Sequence, residues 1–168
     1  MSEHAAITRF REEHSRRGGT GEVVILPESV HTAALAAEAL GCEVGAIANS
    51  LVFDDHGSPL LVLTSGAHRV DTAATAERVG AGALGRADAE FVRRHTGQVI
   101  GGVSPLGHPA PVPTFIDPWL RHHPVVWAAA GHPAAVFSTT YDELVALTGA
   151  VPVDVGPVDV GPVDVAQE

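Results

Sequence analysis

Apolar positions in the first 150 residues fall into short blocks, some at helical spacing and some dense in β-branched residues, separated by Gly, Pro and Asp. Residues 2–17 are polar, with Ile7 and Phe10 three apart and Gly18-Gly19 behind them, which predicts a polar helix. A short apolar strand over 23–26 is closed by Pro27. From 31 to 40, starting at His31, alanine and leucine recur at helical spacing, with Thr32 as N-cap and Gly41 as stop. Two blocks, 46–53 and 60–64, flank Asp54-Asp55-His56-Gly57, so a β-hairpin is predicted there.

Downstream, Asp71 is placed to cap a helix through Val79, and Asp88 another through Arg94. Short strands are predicted at 99–103 and 114–116, around a loop rich in Gly and Pro. The apolar run 125–130 suits a central strand covered on both faces, with 134–138 pairing to it across Gly131. A last helix spans 140–147, capped by Thr139 or Thr140 and stopped by Gly149, and 151–155 reads as a last strand. The pattern is mixed α/β in a single domain, with too many hairpins for a purely parallel sheet. Beyond it the unit Gly-Pro-Val-Asp-Val repeats; a proline in each unit removes a ladder donor and favours extended, disordered chain. The predicted organisation is a helix and linker over 1–20, a folded body over 21–155 and a tail over 156–168.

Composition supports one globular domain: 168 residues, 45% hydrophobic and 18% charged. The first residues lack the apolar core of a secretion signal, and nothing approaches the ~18 consecutive apolar residues of a membrane span. A cytoplasmic protein with no membrane partner is expected, its lone Cys42 a core thiol. Net charge is −10, and all ten basic residues are arginine. No lysine is therefore on hand as base, Schiff-base former or phosphate clamp. Four of the acids lie in 151–168, yet the remainder is still acidic. The chain is a poor candidate for broad, sequence-independent nucleic-acid binding, no DNA partner is expected, and any contact with RNA phosphates should be small.

Gly101-Gly102-Val103-Ser104-Pro105-Leu106-Gly107 can bring backbone N–H groups against a carbonyl oxygen or an anion, while its proline stiffens it. The same glycines would also suit a wide connection that needs positive φ. His132, after Gly131 at the end of the apolar run, places an imidazole at a strand end, as a site residue or as a surface turn histidine. His122-His123 are adjacent and no zinc-binding spacing occurs, so no metal is expected. Ser104 lacks the G-x-S-x-G context of a hydrolase nucleophile.

Taken in order, residues 32–42, Ile47-Ala-Asn-Ser-Leu-Val-Phe53, Arg69-Val-Asp71, Thr96-Gly97, residues 101–107, Ile116-Asp-Pro118 and Ala130-Gly-His132 resemble the YbaK-like aminoacyl-tRNA deacylase family. That family includes the editing insertion of bacterial prolyl-tRNA synthetases. The resemblance runs from about 22 to 155 and implies a curved, barrel-like mixed sheet with helices outside. It implies hydrolysis of the ester of a mischarged tRNA carrying a small amino acid, with the tRNA acceptor end as partner and no cofactor. A synthetase or an elongation factor would supply the tRNA. The family's pocket lysine would stand where this chain has Asn49. Asn49, Gly101, Gly102 and His132 are the implied catalytic residues, and Ser50, Val103, Ser104, Pro105 and Gly131 the implied substrate contacts. The competing reading is a weak or inactive binding module of the same fold, for an aminoacyl-adenosine-like ligand or a protein.

Overall fold

Each of the five α-helices among the described residues is opened by a side chain that accepts from its first turn, and four of them are closed by a left-handed glycine. The computed structural model describes residues 4–30 and 32–156, so His31 and the repeats from 157 onward lie outside the described residues. His4 Nδ1 caps α1 (Ala5–Arg16) by accepting from the Ala6 N–H. Thr32 caps α2 (Ala33–Leu40), Asp71 caps α3 (Thr72–Val79), Asp88 caps α4 (Ala89–Thr96) and Thr140 caps α5 (Tyr141–Thr148). Each such oxygen satisfies a backbone donor that has no partner inside its helix, an effect of about 1 kcal/mol. Gly41, Gly80, Gly97 and Gly149 then take φ between 68° and 75°.

The strands are β1 (Val23–Ile25), β2 (Ile47–Asp55), β3 (Ser58–Ser65), β4 (Gly85–Arg86), β5 (Thr114–Ile116), β6 (Val126–His132), β7 (Ala135–Thr139) and β8 (Val151–Pro152). They form one mixed sheet in the order β1-β7-β6-β2-β3-β5-β8, with β4 attached to β2. The pairs β2–β6, β3–β5 and β5–β8 are parallel and the others antiparallel. In the β2–β3 hairpin only His56 and Gly57 form the turn, both at positive φ, as two-residue hairpins favour. Asp54 and Asp55 belong to the strand, and Asp54 Oδ1 accepts from the Gly57 N–H at 2.6 Å.

The hairpin strand β3 is covered on both faces. Its Leu61 and Leu63 enter the main core with Phe10, Phe137, Ile116, Leu120 and Leu144, while Leu60 and Val62 enter a second cluster with Leu84, Val153 and Val155. The predicted doubly covered strand, β6, buries Val126, Ala128 and Ala130 but leaves Trp127 and Ala129 half-buried. Polar α1 is also part of the core, because Ile7 and Phe10 point inward. Cys42 is half-buried at the end of α2, and burial pushes its thiol pKa up.

Three further sequence-based expectations do not hold. Residues 99–103 make no strand: Gly101 sits at φ 90°, and the Gly102 N–H donates to the Val99 carbonyl within a turn. The β6–β7 turn falls at Pro133-Ala134, since Gly131 at φ 97° lies inside β6 next to a register shift between Ala129 and His132. The last strand is only Val151–Pro152; residues 153–155 leave the sheet, yet Val153 and Val155 remain buried.

Candidate functional site

Strand β2 is paired along β3 from Ala48 to Asp55, but on its other edge it meets β6 only at Ile47 and Ala48, and β4 only at Phe53 and Asp54. Asn49 to Val52 therefore have no strand partner on that edge. A cavity of about 400 Å³ fills the gap, within the size range of small-molecule sites. Side chains alternate along a strand, so β2 gives the cavity two unlike faces. Ile47 and Asn49 point toward α2, where Thr32, Ala33, Ala36 and Trp127 complete the wall. Ser50 shares the face of Ala48 and Val52, toward the main core, where Val92, Val103, Ala128 and Ala135 stand.

The Ser50 hydroxyl oxygen is buried without a hydrogen-bond partner, and so is Thr64 Oγ1, opposite Asn49 on β3. A buried hydroxyl left unbonded costs about 1–3 kcal/mol; Thr64 lies behind the wall, but Ser50 lines the cavity and presents there polar capacity that no described residue uses. Around Ser50 the lining is mostly apolar, with alanine and valine the commonest residues beside isoleucine, Leu51, Trp127 and Pro133.

The glycine loop contributes Ile100, Gly101 and Val103 to the cavity. Gly102 is not among the lining residues: it is buried, its N–H is committed to Val99, and a Cβ on it would lie 2.7 Å from the His132 carbonyl carbon. Ser104 is fully buried behind the loop. Its N–H donates to Gln98 Oε1 at 2.6 Å and its hydroxyl to the Leu106 carbonyl at 2.5 Å. Pro105 lines a different hollow. Gly131 packs under α1, where a Cβ would sit 2.7 Å from the Ala6 carbonyl oxygen. His132 turns its ring toward His4, with 4.9 Å between ring centroids, and its Nδ1 accepts from the Ala134 N–H at 3.0 Å. Asn49, Ser50, Gly101 and Val103 are thus brought together at the cavity, while Gly102, Ser104, Gly131 and His132 support the loop and strand end behind it.

Several lining residues carried no signal in the sequence. Trp127, Pro133 and the alanines of α2 and β6 read as ordinary core, and only the separation of β6 from β2 makes them a wall. Among the described residues no three of His, Cys, Asp and Glu gather as a metal-holding group, and no helix is long and apolar enough to cross a membrane.

Comparison with known proteins agrees with this geometry. The family model of the aminoacyl-tRNA editing domain matches residues 27–160. Among solved structures, a proposed trans-editing enzyme for prolyl-tRNA synthetase is 43% identical, with a TM-score of 0.84, covering 93% of this chain and 99% of that one. A scaffold protein from computational epitope backbone grafting is 41% identical, with a TM-score of 0.86 and coverage of 92% and 99%. The hypothetical protein APE2540 is 30% identical, with a TM-score of 0.79 and coverage of 88% and 98%. Among curated proteins none matches. With the motif order, the mixed sheet and the cavity at the open edge of β2 all in place, this chain belongs to the YbaK-like family of aminoacyl-tRNA editing domains.

Proposed function

We propose that the protein is a deacylase acting in trans: it hydrolyses the ester that joins a small amino acid to the 3′ end of the wrong tRNA. The observation that carries the proposal is the buried, unbonded Ser50 hydroxyl in an otherwise apolar cavity at the unpaired edge of β2. The aminoacyl group enters toward Ser50, where alanines and valines leave room only for a small side chain, and the terminal adenosine lies toward Asn49 and α2. The unpaired stretch of β2 offers backbone donors and acceptors to hold it, as a strand edge does.

In the reaction, water adds to the ester carbonyl carbon. The tetrahedral intermediate collapses with loss of the ribose oxygen, which takes a proton, and the free amino acid and tRNA hydroxyl are released. An aminoacyl ester is already activated, so orientation and oxyanion stabilisation by backbone N–H groups are sufficient sources of rate. Gly101 stands at the cavity with no side chain to block such an approach. Asn49 donates and accepts hydrogen bonds but adds no positive charge, so its stabilisation of a phosphate or oxyanion is weaker than an ammonium would provide. His132 acts through the loop it supports. Pocket size alone discriminates weakly between small amino acids, which is the situation a separate hydrolytic site corrects. The setting is the cytoplasm, with a synthetase or an elongation factor handing over the tRNA. The deacylase domain extends to about residue 155.

Single-turnover deacylation over a panel of mischarged tRNAs tests this. Wild type should release small amino acids slowly, Asn49→Lys should be faster, and Gly101→Val slower. If wild type and Asn49→Lys are both inert while an aminoacyl-adenosine analogue still binds, the protein is a binding module of the same fold.

A further inference from the structure

A second hollow, of about 390 Å³, lies where the C-terminal half of α1 meets the proline-rich stretch 105–113. Arg9, Arg16 and Arg17 line it with one acid, Glu13. Arg16 Nη2 and Arg17 Nε both hold the Glu13 carboxylate, at 2.6 and 2.5 Å, and keep its pKa below the usual range. One carboxylate shared by two guanidinium groups leaves positive charge over. Arg17 is also anchored, its Nη1 donating to the Leu147 carbonyl at 2.7 Å. Arg9 is exposed and has no ion pair among the described residues; its Nη1 reaches the C-terminal end of α4, 3.6 Å from where a Cβ on Gly97 would be. On the loop wall, burial and then the Arg17 charge disfavour the protonated form of His108, against the effect of its bond to the Ser104 carbonyl.

This concentration of cations stands in a chain of net charge −10 that repels anions elsewhere. It also adjoins the cavity along the chain. Val103 is on the cavity wall and Pro105 on the wall of the hollow, so two peptide steps of at most ~3.6 Å each separate the two linings. We propose that the hollow is a phosphate site that holds the tRNA backbone near the acylated end seated in the cavity, an inference that rests on the deacylase reading above. One or two phosphates are all it can neutralise, which reconciles tRNA binding with an acidic body.

The test is a titration of intact tRNA, and separately of a phosphate-free aminoacyl-adenosine analogue, across a salt series, with wild type, Arg9→Gln, Arg9→Glu and the pair Arg9→Gln/Arg16→Gln. Arg16 is exposed and Arg9 unpaired, so the fold should tolerate these changes. Each phosphate contact removed should lower the slope of log K against log salt by about 0.7–0.9. Arg9→Glu should weaken tRNA binding about tenfold, with no matching loss for the analogue. Unchanged slopes and tRNA affinity in all three variants would overturn the proposal. Inorganic phosphate that shifts the His108 resonance, combined with unaltered tRNA binding in the variants, would assign the hollow to a free anion and overturn it equally. A wild type that binds neither tRNA nor the analogue defeats the deacylase reading itself, and the inference with it.

Discussion

Gly102 lies flat against the peptide that follows His132: a Cβ on Gly102 would come within 2.7 Å of the His132 carbonyl carbon and of Pro133 N and Cδ. This contact fixes the glycine loop on the β6–β7 turn and so positions Ile100, Gly101 and Val103 on the cavity. The obstacle is backbone, which cannot swing aside. Gly102→Ala should therefore lower stability by about 1–3 kcal/mol and reduce deacylation by displacing the loop wall. Urea denaturation and single-turnover assays on the same preparation check this; unchanged values in both would show that the loop tolerates displacement from β7.

Ser50→Ala should separate binding from folding. Removing a buried hydroxyl that has no partner relieves a desolvation cost, so the free protein should become more stable by about 1 kcal/mol. The substrate at the same time loses its bond, and KM or the single-turnover half-saturation should rise several-fold. A stabilised protein with wild-type kinetics would remove Ser50 from the site.

Acid should weaken the fold through His14. Its ring is buried against both Phe10 and Phe137, 5.4 Å from each ring centroid, and its Nε2 has no partner among the described residues. Burial lowers its pKa, with Glu143 partly opposing. In the unfolded chain a histidine titrates near ~6.5, so below that pH the unfolded state takes up a proton that the folded state resists. The stability is complete above about pH 6.5 and is lost as the pH falls from there toward the folded value. His14→Phe should flatten the decline in urea midpoint between pH 7 and 5. Equal declines in variant and wild type would place the titration elsewhere.

The C-terminal boundary is testable by truncation. Val155 is 1% exposed, its carbonyl accepts from the Asp71 N–H at 2.8 Å, and Arg78 donates to the Asp154 and Gly156 carbonyls at 2.6 Å. Deleting 157–168 should leave the Tm within about a degree of the full chain, because its proline-spaced valines offer little surface to bury in one register. Deleting 153–168 should lower the Tm by several degrees, since it empties the place of Val153 and Val155 in the second core. A comparable loss from the shorter deletion would show that the repeats bind the body.

The sequence by itself determined the local elements and their punctuation. Thr32, Asp71, Asp88 and Thr140 each carry an oxygen that can close a first helical turn, glycines supply the left-handed stops, and the β2–β3 hairpin is written in its turn residues. These are interactions between residues close in the chain, so the order of residues is enough to specify them. It also carried the family, because motifs spread over 22–155 recur in order, and the loop and segment that hold Gly101, Val103, Asn49 and Ser50. What only the tertiary structure decided is how distant strands meet. The parting of β6 from β2 after Ala48, the packing of the 99–103 turn on the β6–β7 turn, and the turning of His132 toward His4 depend on pairings and contacts between segments far apart in the chain. No local propensity encodes such contacts. The same holds for Arg9, Arg16 and Arg17: net charge summed over the chain is acidic, and only folding brings α1 against the proline-rich loop to make a basic hollow.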